Sequence, residues 1–194
     1  MERHRGVSPC GSASFRKKYA RAFMKRGIKA YLGLGSNEGD RLHHCREALV
    51  RLEESGDVRL LRVSSAYETE PVGEGYKGWF VNAVAEAETD LDPLSLFRKL
   101  KRIEEEMGRF SQAITPNRPI DLDLLLYGDL LLETEALSIP HPRLHERRFV
   151  LEPLSELAPE LVHPRLGKTM EALLKDLSDP HQARRVGEVL RGSF

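Results

Sequence analysis

Two aspartates alternate in an apolar run at Arg118-Pro119-Ile120-Asp121-Leu122-Asp123-Leu124-Leu125. On a strand alternate side chains share a face, so Asp121 and Asp123 point one way and Ile120, Leu122 and Leu124 the other. Side-by-side carboxylates in apolar surroundings repel each other and call for a compensating cation. Hard oxygen ligands at a small open site suit Mg²⁺, which takes one or two carboxylates and leaves its remaining positions to water and phosphate. The plain alternative is an edge strand with a solvated acidic face. Arg118 at the strand entrance and the arginines downstream weigh toward the metal.

A second chemical pattern is Trp79-Phe80-Val81-Asn82-Ala83, preceded by Tyr67-Glu68-Thr69-Glu70-Pro71-Val72-Gly73. Phe80 and Asn82 alternate and share a face. A flat heterocycle can stack on the ring while the amide offers a donor and an acceptor to its edge. Taken singly, Phe80 reads equally as core. A third pattern is Ile139-Pro140-His141-Pro142-Arg143 followed by Arg147, Arg148 and Phe149. Arg147 is a candidate phosphate clamp, and Phe149 a candidate second plate for a stacked ring. The ordinary reading of that stretch is a proline-punctuated surface turn, and His163-Pro164 is left with it. The glycines of Gly33-Leu34-Gly35-Ser36-Asn37-Glu38-Gly39-Asp40 match neither GxxxxGK[ST] nor GxGxxG, so this segment reads as a tight strand-to-helix turn.

The elements that must carry these residues follow from periodicity. Ile28 to Gly35, Val58 to Glu70, Trp79 to Glu88 and Ile120 to Tyr127 read as strands. Leu130 to Glu133 is expected to pair back on the last of these through a Gly128-Asp129 turn. Asp40 to Glu54 reads as a helix with Leu42, Cys45, Leu49 and Leu52 on one stripe. Asp92-Pro93 opens another, with Leu96, Leu100, Ile103 and Met107 buried and Gly108 ending it. Phe149 to Leu157 and Met170 to Leu177 read as short helices. The order β-α-β-β-α-β predicts an α+β, ferredoxin-like sandwich with helices on an antiparallel sheet and extra C-terminal short helices.

The chain has 194 residues, 40% hydrophobic and 31% charged, enough for one domain with a buried core. Lys plus Arg and Asp plus Glu are both 30, which argues against a general nucleic-acid binder while permitting a local basic groove. Cys10 and Cys45 form no metal-binding spacing, and a reducing, cytoplasmic setting fits them. Arg3 to Lys29 carries seven further Lys and Arg residues between its two ends but no acid, and no apolar signal core. Residues 1–27 are expected as a disordered basic tail, a transit-like segment or an over-long start ahead of Met24. Residues 28–165 are expected as the functional domain and residues 166–194 as a C-terminal helical extension.

Together these segments resemble the 6-hydroxymethyl-7,8-dihydropterin pyrophosphokinase family. The resemblance runs from Ile28 to Pro164 and rests on YLGLGSNEGDR, Y-x-T-x-P-x-G, F-x-N-A, E-x-x-x-GR at Glu104 to Arg109, R-x-x-D-L-D-L-L, the LLYG strand end and IPHPRLHERRFVLEPL. It implies transfer of diphosphate from ATP to the pterin hydroxymethyl group, leaving AMP, as a step in folate biosynthesis. It implies two Mg²⁺ on Asp121 and Asp123. It implies a pterin pocket of Thr69, Val72, Phe80, Asn82 and Phe149, and an ATP site of Lys101, Glu104, Leu124, Ser138, His141 and Arg147. Arg109 and Arg118 would stabilise charge on the transferred group. The implied partners are ATP and the pterin, with no nucleic acid and no membrane, and other folate-pathway enzymes as candidates. The chain departs from the family in its arginine-poor stretch from Phe110 to Asn117, which is expected to act as a lid.

Two other classes share some of these features. A different magnesium-dependent nucleotidyl or phosphoryl transferase also pairs Gly-Ser with a later DxD, usually closer in sequence. A ferredoxin-like RNA-binding module would want basic and aromatic residues on the sheet face, where this chain has acids.

Overall fold

The computed structural model describes residues 26–76, 78–108 and 117–189. The basic N-terminal stretch lies almost wholly outside these residues, as do Arg109 and all of the expected lid except Asn117.

The sheet is antiparallel, in the order β5-β1-β4-β3-β8. Its strands are β1 (Ile28–Ser36), β2 (Val58–Val63), β3 (Ser65–Thr69), β4 (Phe80–Thr89), β5 (Asp121–Tyr127) and β8 (Ala183–Glu188). Strands β2 and β3 lie along successive halves of the same edge of β4. They were expected as one strand from Val58 to Glu70. The break falls at Ser64, whose hydroxyl accepts from Val84 N at 2.9 Å and donates to Ser65 O at 2.8 Å. A side chain there replaces a regular rung of the ladder.

Helix α1 (Arg41–Glu54) starts where Asp40 accepts from His43 N at 3.0 Å. Helix α2 (Pro93–Glu106) starts at Asp92, which accepts from Leu94 N and Ser95 N, with Pro93 in the first helical turn. These capping bonds satisfy N–H groups that have no partner within the helix. Leu49 and Leu52 of α1, Leu96, Leu100 and Ile103 of α2, and Leu32, Leu34, Leu122 and Leu124 of the sheet form one core. Fully burying such a leucine contributes roughly 1.5–3 kcal/mol.

Helices α3 (Arg148–Leu157) and α4 (Met170–Lys175) cover the opposite face, where Leu151, Leu154, Met170 and Leu173 meet Tyr31, Val84, Leu125 and Leu126. The sheet is therefore covered on both sides, and the C-terminal helices complete the second layer. After α4 the chain returns as β8 and pairs with β3, Thr69 facing Ala183 and Tyr67 facing Arg185. The C-terminal segment thus carries one helix and one sheet strand. Periodicity missed the strand because β8 is polar and mostly exposed. The short β6 (Leu132–Glu133) pairs with β7 (Ser138–Ile139), so it does not fold back on β5 as expected. The Gly128 N–H instead donates to Lys29 O at 2.7 Å, which ties the turn to β1.

Candidate active site

Strand β5 is an edge strand, and its open side is closed by α2. Glu104 accepts from Leu122 N, and Lys101 Nζ donates to Leu122 O at 2.7 Å and to Glu104 Oε1 at 2.7 Å. Two side chains thus meet backbone groups that a neighbouring strand would otherwise pair. The same ammonium lies 4.0 Å from Asp121 Oδ1 and 3.8 Å from Asp123 Oδ1.

Asp121 and Asp123 do share a face. They line a cleft together with Gly33, Gly35, Asn82 and Leu125. Their side chains are 19% and 32% exposed. Arg118 Nη2 approaches Asp121 Oδ2 at 3.0 Å, while its guanidinium carbon lies 5.5 Å from the Phe80 ring centre. Arg118 therefore spans from the acidic pair to the aromatic floor. Its backbone is held by Asn37, whose Oδ1 accepts from Arg118 N at 2.8 Å. The segment read as a glycine turn has this use: β1 runs on through Gly33 and Gly35 to Ser36, and the turn itself follows with Gly39 at a φ of +61°.

Thr69, Val72, Phe80 and Asn82 line one wall of the cleft, and Phe149 and Arg147 the other. Asn82 Nδ2 donates to Thr69 Oγ1 at 2.6 Å, which fixes the amide plane. Tyr76 meets Phe80 edge-on at 5.2 Å between centres, and Arg147 lies 5.4 Å from the Phe149 ring centre. The Nε atoms of both Arg118 and Arg147 are buried without a partner among the described residues. A buried N–H with no acceptor is costly, so both donors suit an anionic ligand.

His141 is held near the end of β5 by its N–H, which donates to Leu125 O at 2.9 Å. Burial lowers its pKa, Asp123 opposes this, and Arg147 adds to the lowering. Ser138 is half-buried on β7. Leu124 is only 2% exposed and packs in the core on the α1–α2 side, so its side chain does not line the cleft. Glu104 is likewise buried, at 3% exposed. Arg109 lies outside the described residues. The sequence reading overlooked Glu70, Tyr76, Arg143 and Val150 as lining residues. Arg143 stood in the Pro-His-Pro-Arg run and could have been found there. Glu70 and Val150 likewise stood in the runs Tyr67 to Gly73 and IPHPRLHERRFVLEPL, and nothing in local pattern marks Tyr76.

The cleft thus gathers two phenylalanines, Phe80 and Phe149, two arginines, Arg118 and Arg147, and the carboxylate pair of Asp121 and Asp123. Among the described residues no group of three or more histidine, cysteine or acidic side chains gathers around one point. The carboxylate pair with open neighbouring space is the donor set of Mg²⁺ completed by water and phosphate, and the residues fit that ion.

Residues 31–159 match the family model described as 7,8-dihydro-6-hydroxymethylpterin-pyrophosphokinase. The chain is 40% identical over 152 residues to a 2-amino-4-hydroxy-6-hydroxymethyldihydropteridine pyrophosphokinase of Haemophilus influenzae, covering 78% of this chain and 94% of that one. It is 43% identical over 157 residues to the folic acid synthesis protein fol1 of Schizosaccharomyces pombe, covering 81% of this chain but only 21% of that protein. A solved HPPK-DHPS structure from Plasmodium falciparum superposes with a TM-score of 0.63 at 19% identity, over 80% of this chain and 46% of that one. That likeness bears on the fold.

Proposed function

The chain belongs to the 7,8-dihydro-6-hydroxymethylpterin-pyrophosphokinase family, whose step lies in folate synthesis, and we propose that its cleft joins ATP to the pterin through Asp121, Asp123 and Arg118. The observation that carries this reading is Arg118, which reaches from the acidic pair to the Phe80 ring and so supports a phosphate site adjoining a ring site there.

In this reading the pterin lies between Phe80 and Phe149. The Asn82 amide, with Thr69 behind it, reads the ring edge, and Val72 closes the wall. The triphosphate lies against Lys101, Arg147 and His141, with Ser138 and the backbone beside Leu124 toward the nucleoside. Glu104 keeps Lys101 in place. The hydroxymethyl oxygen attacks the β-phosphorus, the bond from the β-phosphorus to the α-phosphate oxygen breaks, and AMP leaves. Asp121 and Asp123 would hold two Mg²⁺ ions, which supply charge neutralisation on the phosphate oxygens. Arg118 and Arg109 add positive charge at the transferred group. Such transfer depends on positioning and charge stabilisation more than on a covalent nucleophile.

No helix of the described residues is long and apolar enough to cross a membrane. The fused HPPK-DHPS relatives support other folate-pathway enzymes as partners. The test is a coupled assay for AMP with and without 6-hydroxymethyl-7,8-dihydropterin. AMP should form only when ATP, Mg²⁺ and the pterin are all present. Release of diphosphate or phosphate instead, or no dependence on the pterin, overturns the reading.

A further inference from the structure

The segment from Asp179 to Val189 lies beyond the family match, which ends at residue 159, yet it touches both walls of the cleft. At its start, Asp179 Oδ2 accepts from Arg148 N at 2.9 Å, and the Asp179 carbonyl accepts from the Arg148 guanidinium at 3.2 and 3.1 Å. Arg148 stands between Arg147 and Phe149. Helix α3 has no capping side chain of its own, so the Asp179 carboxylate supplies the acceptor and negative charge its N-terminus lacks.

Three residues on, the segment grips the opposite wall. Glu70 N donates to Gln182 O at 3.1 Å, and Gln182 N donates to Glu70 Oε2 at 2.9 Å. The Arg184 guanidinium lies 5.0 Å from the Trp79 ring centre. Glu70 and Trp79 bracket the stretch that contributes Pro71, Val72 and Tyr76 to the cleft. The far end is fixed too. Val189 is fully buried, and its carbonyl accepts from Arg46 Nε of α1.

We infer that Asp179, Gln182 and Arg184 form a C-terminal strap that sets the distance between the Val72–Phe80 wall and the Arg147–Phe149 wall, making Asp179 and Arg184 positioning residues for the pterin. The inference deepens the reading of the cleft as a pterin site and rests on it. Neither side chain lines the cleft. Their effect passes through Arg148 and Trp79. Trp79 flanks only the wall given to the pterin, so the Arg184 effect should spare ATP. Arg148 adjoins Arg147, so the Asp179 effect extends to ATP.

Trp79 is the sole tryptophan, so its fluorescence reports one anchor without any ligand. In Arg184→Ala, acrylamide quenching of Trp79 should rise, and the KM for the pterin should rise roughly tenfold with kcat and the KM for ATP little changed, the scale of losing one charge-assisted contact. Asp179→Ala should raise the pterin KM similarly while leaving Trp79 quenching near wild type. Arg184→Lys should recover most of the loss. Thermal unfolding of each variant separates a cleft effect from general loosening. Unchanged quenching in Arg184→Ala overturns the strap, as does an unchanged pterin KM in both alanine variants, or equal rises in both KM values for Arg184→Ala. If the wild-type chain makes no AMP, the assigned reaction fails. The ligand-free quenching comparison still decides whether the strap holds the wall.

Discussion

Asn82 occupies the space that a side chain on Gly35 would need: a Cβ at Gly35 would lie 2.8 Å from Asn82 Oδ1. The two residues face each other across β1 and β4, and Asn82 is held from its other side by Thr69. Glycine at this position is a requirement of close approach, not of backbone conformation.

Gly35→Ala should therefore turn the Asn82 amide out of line. Pterin affinity should fall by roughly tenfold, the worth of about one misplaced hydrogen bond, with a smaller effect on ATP. Equilibrium titration of each ligand checks this. An unchanged pterin affinity would mean that Asn82 yields without loss.

Asp121→Asn and Asp123→Asn should each lower turnover by about a hundredfold or more while the fold survives. Lys101 and Arg118 already stand beside the pair, so relief of the carboxylate repulsion should be partly offset by the loss of these contacts. Without metal, stability should shift by less than about 1 kcal/mol, as for other part-exposed ion pairs. Magnesium titrations of turnover and chemical denaturation together provide the test. Near-normal magnesium-dependent turnover in both variants would remove the central role given to these acids.

Phe80→Ala and Phe149→Ala should each weaken pterin binding by roughly 1–3 kcal/mol, by analogy with bases stacked on aromatic side chains. Each ring carries an arginine over one face, so some repositioning of Arg118 or Arg147 is expected as well. Calorimetry with pterin and with an ATP analogue checks the selectivity. Equal losses for both ligands would contradict a stacking role.

His163 supplies a pH dependence away from the cleft. It is 2% exposed, and its Nδ1 accepts from Arg165 N and Leu166 N at 3.2 Å each, a role open only to the neutral ring. Burial lowers its pKa, and His145 and Arg165 add to the lowering. The unfolded chain thus binds a proton at higher pH than the folded one. This contribution to stability is full above the unfolded value near 6.5 and is lost as pH falls toward the lower folded value. His163→Asn, which keeps an acceptor but does not titrate there, should lose less melting temperature between pH 7.5 and pH 5.5 than the wild type. Parallel curves would rule out His163 as a source of the acid sensitivity.

Much of the site was legible because it depends on short-range geometry. The shared face of Asp121 and Asp123, and of Phe80 and Asn82, follows from the two-residue repeat of a strand. The starts of α1 and α2 at Asp40 and Asp92 follow from side chains that cap their own helices. The pairing of Leu132–Glu133 with Ser138–Ile139 was not legible, since two residues carry no usable period.

Local pattern alone thus determined which side chains share a face, where the main helices begin and that the acids stand on an apolar strand. Tertiary structure alone decided that Lys101 and Glu104 close the edge of β5, and that Asn37 holds Arg118 from 81 residues away. It also decided that a polar, exposed C-terminal segment becomes β8 and spans both walls of the cleft. The physical reason is that repeats and caps are set by neighbours in the chain. An edge strand or a distant hydrogen bond is chosen only after burial elsewhere has brought its partner within reach.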